Sequence, residues 1–440
     1  MTHFSSSTTM TRMPGAYPDD EMGLALRNSI EQSRTCFEGQ NVLVTGACGF
    51  LGGHLVRALH SAGANVTAID HEITTARRAF LEASGLLSEV KLVEADCRDC
   101  RTLADIVVHG QFSHLFHLSS ESGQPQKEVI DPYGTILDST MGFVNLAEAA
   151  RLLPRDKRPL VVHASTDRIY SQQEQQSVGV GVAAMQCADI LAGTYHQKLG
   201  VPTIVLRLCH LFGPFDLDFN GQLIPQAMRN IFRDGESPEL SMNALEDFHD
   251  YIYVEDAVRA FLHLARFEQC RGGVYDLPGT HYGATPDVLR DIISQVSALQ
   301  DEIALVDPRC ALANHHWNRS IRIVPSKPED EAHSTPHLDG TRLREDADFE
   351  PCTSFREALQ LTAQFYAWYF SQAAPVKPRF KAITPRQERR VEPAFETVYT
   401  DDGLPVHVLN PHAHVRDKGA PREEERRPRA FVVESVLAAI

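Results

Sequence analysis

No apolar run in the 440-residue chain reaches the ~18 residues that a membrane-spanning helix requires. Basic residues are also in deficit, because 42 Lys and Arg stand against 58 Asp and Glu, for a formal net charge of -16. That charge disfavours nucleic acids and anionic membranes as partners, since both bind through clustered basic side chains. We therefore predict no nucleic-acid partner and no membrane attachment.

The N-terminus lacks the apolar stretch of a secretory signal. Residues 1–38 are polar and without periodicity, which predicts a disordered N-terminal arm. Nine scattered cysteines do not resemble a disulfide scaffold, and a cytoplasmic location under reducing conditions is the simpler interpretation. Cys97 and Cys100 form a C-x-x-C without a second pair at zinc-site spacing, so we predict no metal site.

From Asn41 onward, short apolar runs alternate with stretches of helical periodicity. This alternation predicts β-α-β units and an α/β fold with a Rossmann-type doubly wound parallel sheet. The strands are nearly continuous apolar runs, as expected for strands buried on both faces. The predicted strands are Asn41–Thr45, Asn65–Asp70, Val90–Asp96, His114–Ser120, Leu160–Thr166 and Thr203–Leu208.

The pattern changes after Gly213, where Pro and Gly interrupt it more often. We predict a Rossmann domain over residues 39–212, its sheet completed by about residues 245–277 with a return near Asp250–Val254. Residues 213–370 form a smaller lobe that binds substrate and ends in a helix from Ser354 to about Phe370. Residues 371–440 are rich in Pro, Arg and Glu, which predicts a largely disordered tail with one docking segment at Ala430–Ile440.

A glycine-rich loop, VTGACGFLGGHL, joins the first strand to the following helix. Gly46 allows a tight turn, Gly49 lets the backbone approach a pyrophosphate, and Gly52 lets the helix pack closely on the strand. The helix N-terminus then directs N–H groups at the phosphates. The cofactor-binding residues predicted in this loop are Gly46, Cys48, Gly49, Phe50, Leu51 and Gly52.

Asp70 ends the second strand, 18 residues after Gly52. A carboxylate at this position accepts hydrogen bonds from the adenosine ribose and repels a 2′-phosphate, so NAD is favoured over NADP. Arg77 and Arg78 lie just downstream and would soften that preference. Residues 39–212 are therefore predicted to form an NAD-binding domain.

Three further motifs follow the third, fourth and fifth strands: EADCRD at residues 94–99, FHLSS at 116–120 and STDRIY at 165–170. With the glycine loop, they resemble the extended short-chain dehydrogenase/reductase family, which comprises NAD-dependent epimerases and dehydratases of sugar nucleotides. The resemblance covers about residues 40–370. It implies further cofactor-binding residues, namely Asp96 at the adenine group with Cys97 beside it, and Leu118 and Ser119 lining the cofactor.

The second lobe carries two more segments of this kind, RLCHLFGP at residues 207–214 and HDYIYVED at 249–256. The resemblance implies a small-molecule substrate, with a nucleotide sugar as the expected class. It also implies a homodimer formed through the helices of Ser139–Leu153 and Met185–Leu199. Both helices are apolar on more than one face, as expected for helices buried in a bundle.

The catalytic pair of the family is absent. Family members carry a Tyr and a Lys one helical turn apart, and counting back from LGVP at residues 199–202 places Gly181 and Met185 at these positions. The resemblance implies that the Tyr exchanges a proton with a substrate hydroxyl, while the ammonium favours the phenolate. General acid–base groups contribute about 10²–10⁴-fold, so their loss should cripple ordinary hydride-linked chemistry.

Other groups at the site could replace the pair. Thr166 and Asp167 hold the positions where the family's dehydratases use a hydroxyl and an acid, while Arg168 replaces their Glu base. His210 stands where the family has an Asn, and an imidazole titrates near neutrality. It is either a replacement base or a hydrogen-bonded pocket residue. The predicted catalytic residues are Thr166, Asp167 and His210.

Two functional interpretations remain open. The first is an NAD-dependent epimerase/dehydratase-like enzyme with a rebuilt active site. The second is a catalytically inactive NAD-binding pseudoenzyme that serves as a scaffold or regulatory subunit. It is supported by the joint loss of the pair and of the family Arg replaced by His249, which removes a permanently charged fork for a diphosphate. The acidic charge disfavours a third interpretation, a nucleic-acid-binding descendant of the fold.

Overall fold

The computed structural model describes residues 22–119, 130–170, 179–306, 314–326 and 334–372, together with the backbone of residues 395–399 and 405–409. The chain divides into two compact units, Met1–Ala374 and Pro375–Ile440. The first unit contains the features that position the site, and the second is described only through one pair of strands.

A seven-stranded sheet lies at the centre of the first unit, and all its neighbouring strands are parallel. The strand order is β10-β6-β5-β4-β1-β2-β3, so the predicted α/β fold with a doubly wound parallel sheet is confirmed. Its strands are β1 Asn41–Thr45, β2 Asn65–Asp70, β3 Lys91–Glu94, β4 His114–His117, β5 Leu160–Thr166, β6 Thr203–Leu208 and β10 Val274–Leu277.

Helices cover both faces of this sheet and close two apolar cores. One core lies under α1, α2 and α9, and the other lies under α4, α6 and α7. The α-helices are α1 Leu24–Phe37, α2 Phe50–Ser61, α3 Ala79–Ala83, α4 Cys100–Gly110, α5 Pro132–Ile136, α6 Gly142–Arg151, α7 Val180–Thr194, α8 Leu223–Arg229, α9 Val254–Arg266, α10 Thr285–Val306, α11 Thr341–Ala347 and α12 Phe355–Gln372.

The prediction of a disordered arm through residue 38 is wrong for its second half. Helix α1 buries Leu26, Ile30 and Phe37 against α2 and α9. These residues recur at helical spacing within a stretch rich in Ser, Arg and Glu, and the polar composition concealed that narrow apolar stripe. Residues 1–21 lie outside the described part of the chain.

The prediction that Asp250–Val254 returns to the main sheet is also wrong. Strand β9, Phe248–Tyr253, pairs with β7, His210–Phe212, and with β11, His281–Ala284, in a separate three-stranded sheet. The last strand of the main sheet is β10 instead, which lies within the predicted range of about 245–277. A further two-stranded sheet pairs β8, Glu239–Ser241, with β12, Arg322–Val324.

The predicted terminal helix is present as α12. In the second unit, β13, Phe395–Tyr399, pairs antiparallel with β14, Pro405–Leu409. This paired segment was not expected in a largely disordered tail. The predicted docking segment at Ala430–Ile440 lies outside the described residues.

Candidate active site

The glycine loop lies at the point where the strand order reverses, between the carboxyl ends of β1 and β4. Gly46 has a φ of +67°, and a Cβ there would lie 2.9 Å from the Leu118 carbonyl oxygen. A Cβ at Gly52 would overlap the carbonyl oxygen of Gly46, and one at Gly49 would lie 3.1 Å from the same atom. Steric exclusion therefore explains glycine at all three positions, in the crevice where doubly wound sheets bind ligands.

The loop is tied to β2 through Asp70, whose carboxylate is 4% exposed. Its Oδ2 atom accepts a hydrogen bond from the Cys48 N–H at 3.0 Å, and its Oδ1 atom lies 3.2 Å from Arg77 Nη1. Burial, followed by the charge of Asp70, raises the pKa of the Cys48 thiol to about 11. This keeps the thiol neutral and unreactive. Phe50 and Leu51 begin α2 and pack on the core.

The predicted residues after β3 and β4 also lie close together. Cys97 is buried beside the hydroxyls of Thr45 and Ser119, and burial raises the pKa of its thiol to about 11. The Ser119 N–H donates a hydrogen bond to Thr45 Oγ1 at 3.4 Å. Cys97 and Ser119 therefore share one wall of the crevice.

Asp96 is engaged by Arg98 instead of being left open to a ligand. Arg98 donates to it through Nε at 2.9 Å and through Nη2 at 2.6 Å. These hydrogen bonds lower the pKa of the Asp96 carboxyl. An adenine amino group would therefore meet a carboxylate that is already paired.

The three predicted catalytic residues come together where β5 ends. Thr166 Oγ1 donates a hydrogen bond to Asp167 Oδ1 at 3.3 Å, and His210 Nδ1 lies 3.9 Å from Asp167 Oδ2. The arrangement follows from register, because Thr166 of β5 is paired with Leu208 of β6, two residues before His210. Side chains that are about 40 residues apart in sequence therefore meet at one edge of the sheet.

Asp167 is the most perturbed of the three. It is 2% exposed, and burial raises the pKa of its carboxyl to about 7, against the hydroxyls of Thr335 and Thr166, which lower it. The carboxyl can therefore gain or lose a proton near neutral pH. The ring of His210 in turn lies 4.3 Å from the ring of His249, measured between centroids.

Gly181 and Met185 occupy the first two turns of α7, and both are buried. None of the eleven tyrosines in the chain is followed by a lysine four residues later. Below these positions, Asp189 of the same helix accepts a hydrogen bond from Arg207 Nε at 2.9 Å. Arg207 also donates to Tyr170 Oη. The described part of α7 therefore presents a glycine and a thioether where the family has its catalytic pair.

Thr335 and Asp250 belong to the surroundings of the site, and sequence reasoning did not find them as site residues. Thr335 lies beside Asp167, and the negative charge of Asp250 also raises the pKa of the Asp167 carboxyl. Both come from the second lobe, far from Asp167 in sequence. No motif marks Thr335, whereas Asp250 lies within a segment noted only for its family resemblance.

Two further classes of site were searched for across the described residues. There, no group of three or more His, Cys, Asp or Glu side chains is placed to hold a metal ion. Within the same parts of the chain, no helix has the length and apolarity needed to cross a bilayer.

The fold and the crevice define a Rossmann-type protein with a loop of the kind that binds dinucleotides. A sequence profile of the NAD dependent epimerase/dehydratase family matches residues 42–277, which is more than half of the chain. The protein belongs to this family, as the sequence motifs predicted.

Individual relatives are distant. UDP-glucuronate 4-epimerase 4 of Arabidopsis thaliana is 26% identical over 260 residues, which cover 54% of this chain and 56% of that protein. The chain thus spans about half the length of the Arabidopsis relatives it matches. A dTDP-glucose 4,6-dehydratase of Streptomyces niveus is 25% identical over 353 residues, covering 76% of this chain and 96% of that protein.

Solved structures share the fold at low identity. A UDP-glucose 4-epimerase of Thermotoga maritima, solved with UDP-glucose, superimposes with a TM-score of 0.61 and 18% identity, covering 74% of this chain and 98% of that one. A dTDP-glucose 4,6-dehydratase of Bacillus anthracis, solved in complex with NAD, has a TM-score of 0.61 and 19% identity, covering 74% and 96%. At this identity the likeness concerns the fold.

Proposed function

We propose that the protein binds NAD in the crevice of the glycine loop and transforms a hydroxylated small molecule at the end of β5. The residues present fit the cofactor. The loop has no Cβ where the backbone packs most closely, and a buried carboxylate, Asp70, stands at the end of β2 where a ribose would lie. NAD, when bound, would supply a reversible hydride acceptor.

The observation that carries the proposal is the cluster of Thr166, Asp167 and His210. A carboxyl with a pKa of about 7 can act as acid or base at neutral pH, where the two protonation states are equally available. His210, close to that carboxyl, offers a second titratable group. The Thr166 hydroxyl can orient a substrate oxygen. Together these groups would take over the proton transfers of the absent Tyr and Lys.

We propose a nucleotide sugar as the substrate class. Support comes from the family and from the names of the relatives, which concern UDP-glucuronate and dTDP-glucose. In contrast, His249 provides no permanently charged fork for a diphosphate. Phosphate recognition would then depend on backbone N–H groups and on fewer basic side chains.

A homodimer is the expected assembly. Large apolar side chains remain exposed on neighbouring helical segments, with Ile190 of α7 70% exposed and Tyr133 of α5 62% exposed. Ile136 and Met141 are also exposed beside them. Burying such side chains against a second copy would remove apolar surface from water. We further propose the cytoplasm as the site of action, since the eight cysteines in the described residues are all free thiols.

The function is tested by incubating the protein with NAD and pooled UDP-, GDP-, CDP- and dTDP-sugars and analysing the products by mass spectrometry. We expect turnover that Thr166→Val and Asp167→Asn abolish. A matched control is Thr362→Val, which removes a buried hydroxyl in α12 that donates to the Ala358 carbonyl. Binding of NAD without any turnover would contradict the enzyme and favour the inactive scaffold.

A further inference from the structure

A short segment of the second lobe, residues 334–338, runs across β9 and is called the strap below. Two hydrogen bonds attach its first residues to the start of that strand. The Phe248 N–H donates to Ser334 Oγ at 3.0 Å, and the Thr335 N–H donates to the Phe248 carbonyl oxygen at 3.0 Å. The backbone of Thr335 is therefore fixed on β9.

The other end of the strap is attached to Asp250, which is fully buried. His337 Nδ1 lies 2.9 Å from Asp250 Oδ2, and the Leu338 N–H donates to the same oxygen at 3.2 Å. A third donor, the Gly279 N–H, reaches it at 2.9 Å. With both ends held, Thr335 has little freedom to move relative to the sheet edge.

The side chain of Thr335 points into the candidate active site. Thr335 is 1% exposed, and its hydroxyl lies beside the carboxyl of Asp167. Thr335 Oγ1 and Asp167 Oδ2 are both buried, and neither is hydrogen-bonded to any other described residue. A hydroxyl can donate one proton and a carboxylate can accept several. Because leaving either atom unsatisfied is costly, each is the natural partner of the other.

We propose that Thr335 is a positioning residue, whose hydroxyl donates to the Asp167 carboxylate and so fixes its orientation and its protonation in the site. The contact stands on the geometry of the strap, whereas its catalytic consequence rests on the proposed function. The strap would thereby couple the second lobe to the proton-transferring group of the first.

The effect on Asp167 has a definite sign. Donation from Thr335 stabilises the ionised carboxylate, while burial opposes ionisation more strongly and raises the pKa to about 7. Removing the hydroxyl should therefore raise that pKa further. The titratable, charged and hydroxyl groups that face Asp167 are Thr166 and Arg168 of its own segment, Cys209 and His210 from the β6–β7 segment, Asp250 of β9, and Thr335.

The test is a titration of the Asp167 carboxyl carbon by NMR in the free protein, with the resonance assigned through Asp167→Asn. We expect Thr335→Val to raise the Asp167 pKa by about one pH unit, as for the loss of one hydrogen bond to a charged group. Thr335→Ser should restore it. Thr362→Val, which removes another buried hydroxyl, should leave it unchanged.

An unchanged Asp167 pKa in a folded Thr335→Val variant would overturn the proposal, as would an equal shift in Thr362→Val. Thermal unfolding of all three variants establishes that each is folded. The measurement needs neither substrate nor cofactor, so it is independent of catalysis. If the pKa moves but turnover and its pH profile do not, then the contact is correct and the proposed role of Asp167 is not.

Discussion

Replacing Asp167 by Asn should make the protein more stable at alkaline than at acidic pH relative to the wild type. Asp167 is held in the folded protein with a pKa of about 7, against an ordinary value of 3.8. Between these values the unfolded chain releases a proton that the folded chain keeps, so the wild type loses stability as pH rises. The cost reaches about 4 kcal/mol above neutrality, at about 1.4 kcal/mol for each pKa unit.

The assay is urea unfolding of wild type and Asp167→Asn at about pH 5 and about pH 8, between which roughly 2–3 kcal/mol of the cost should develop. Asp216→Asn is a positive control, since burial also raises the pKa of that carboxyl to about 7. Asp287→Asn, an exposed substitution, controls for the loss of charge. A difference between wild type and Asp167→Asn that stays constant with pH would refute the reasoning.

Three further substitutions test the loop, the first helix and the assembly. Gly52→Ala places a Cβ against the Gly46 carbonyl and should weaken NAD binding at least about tenfold by calorimetry, whereas Gly193→Ala, which meets nothing within 4 Å, should not. Phe37→Ala, at a fully buried position of α1, should cost about 3–5 kcal/mol in urea unfolding; a negligible loss would mean that α1 does not pack as described. Ile190→Glu should convert a dimer into a monomer in sedimentation experiments, and an unchanged mass would exclude this face of α7 as the interface.

The sheet could be predicted from the sequence because strands buried on both faces are short apolar runs, and the bounds of β1, β2, β5 and β6 matched residue for residue. The glycine loop was equally legible, since its steric demands act within a few residues. Helix α1 was missed because only a narrow stripe of its surface is apolar.

The site beyond the loop depends on pairings that local sequence does not encode. The sequence placed Thr166 and Asp167 after a strand, but not the packing that buries Asp167 or the strap that brings Thr335 to it. The same limit explains β9, whose apolar run suits either sheet. The choice of β10 as the last strand of the main sheet depends on pairing with β6, which periodicity alone does not reveal.

The central claim, that this chain retains a working dinucleotide site despite losing the family's catalytic pair, is tested most directly by calorimetric titration of the purified protein with NAD and with NADP. The account predicts saturable binding of one NAD per chain, tighter than that of NADP, because Asp70 stands where a 2′-phosphate would lie. No saturable binding of either nucleotide to folded protein would contradict it.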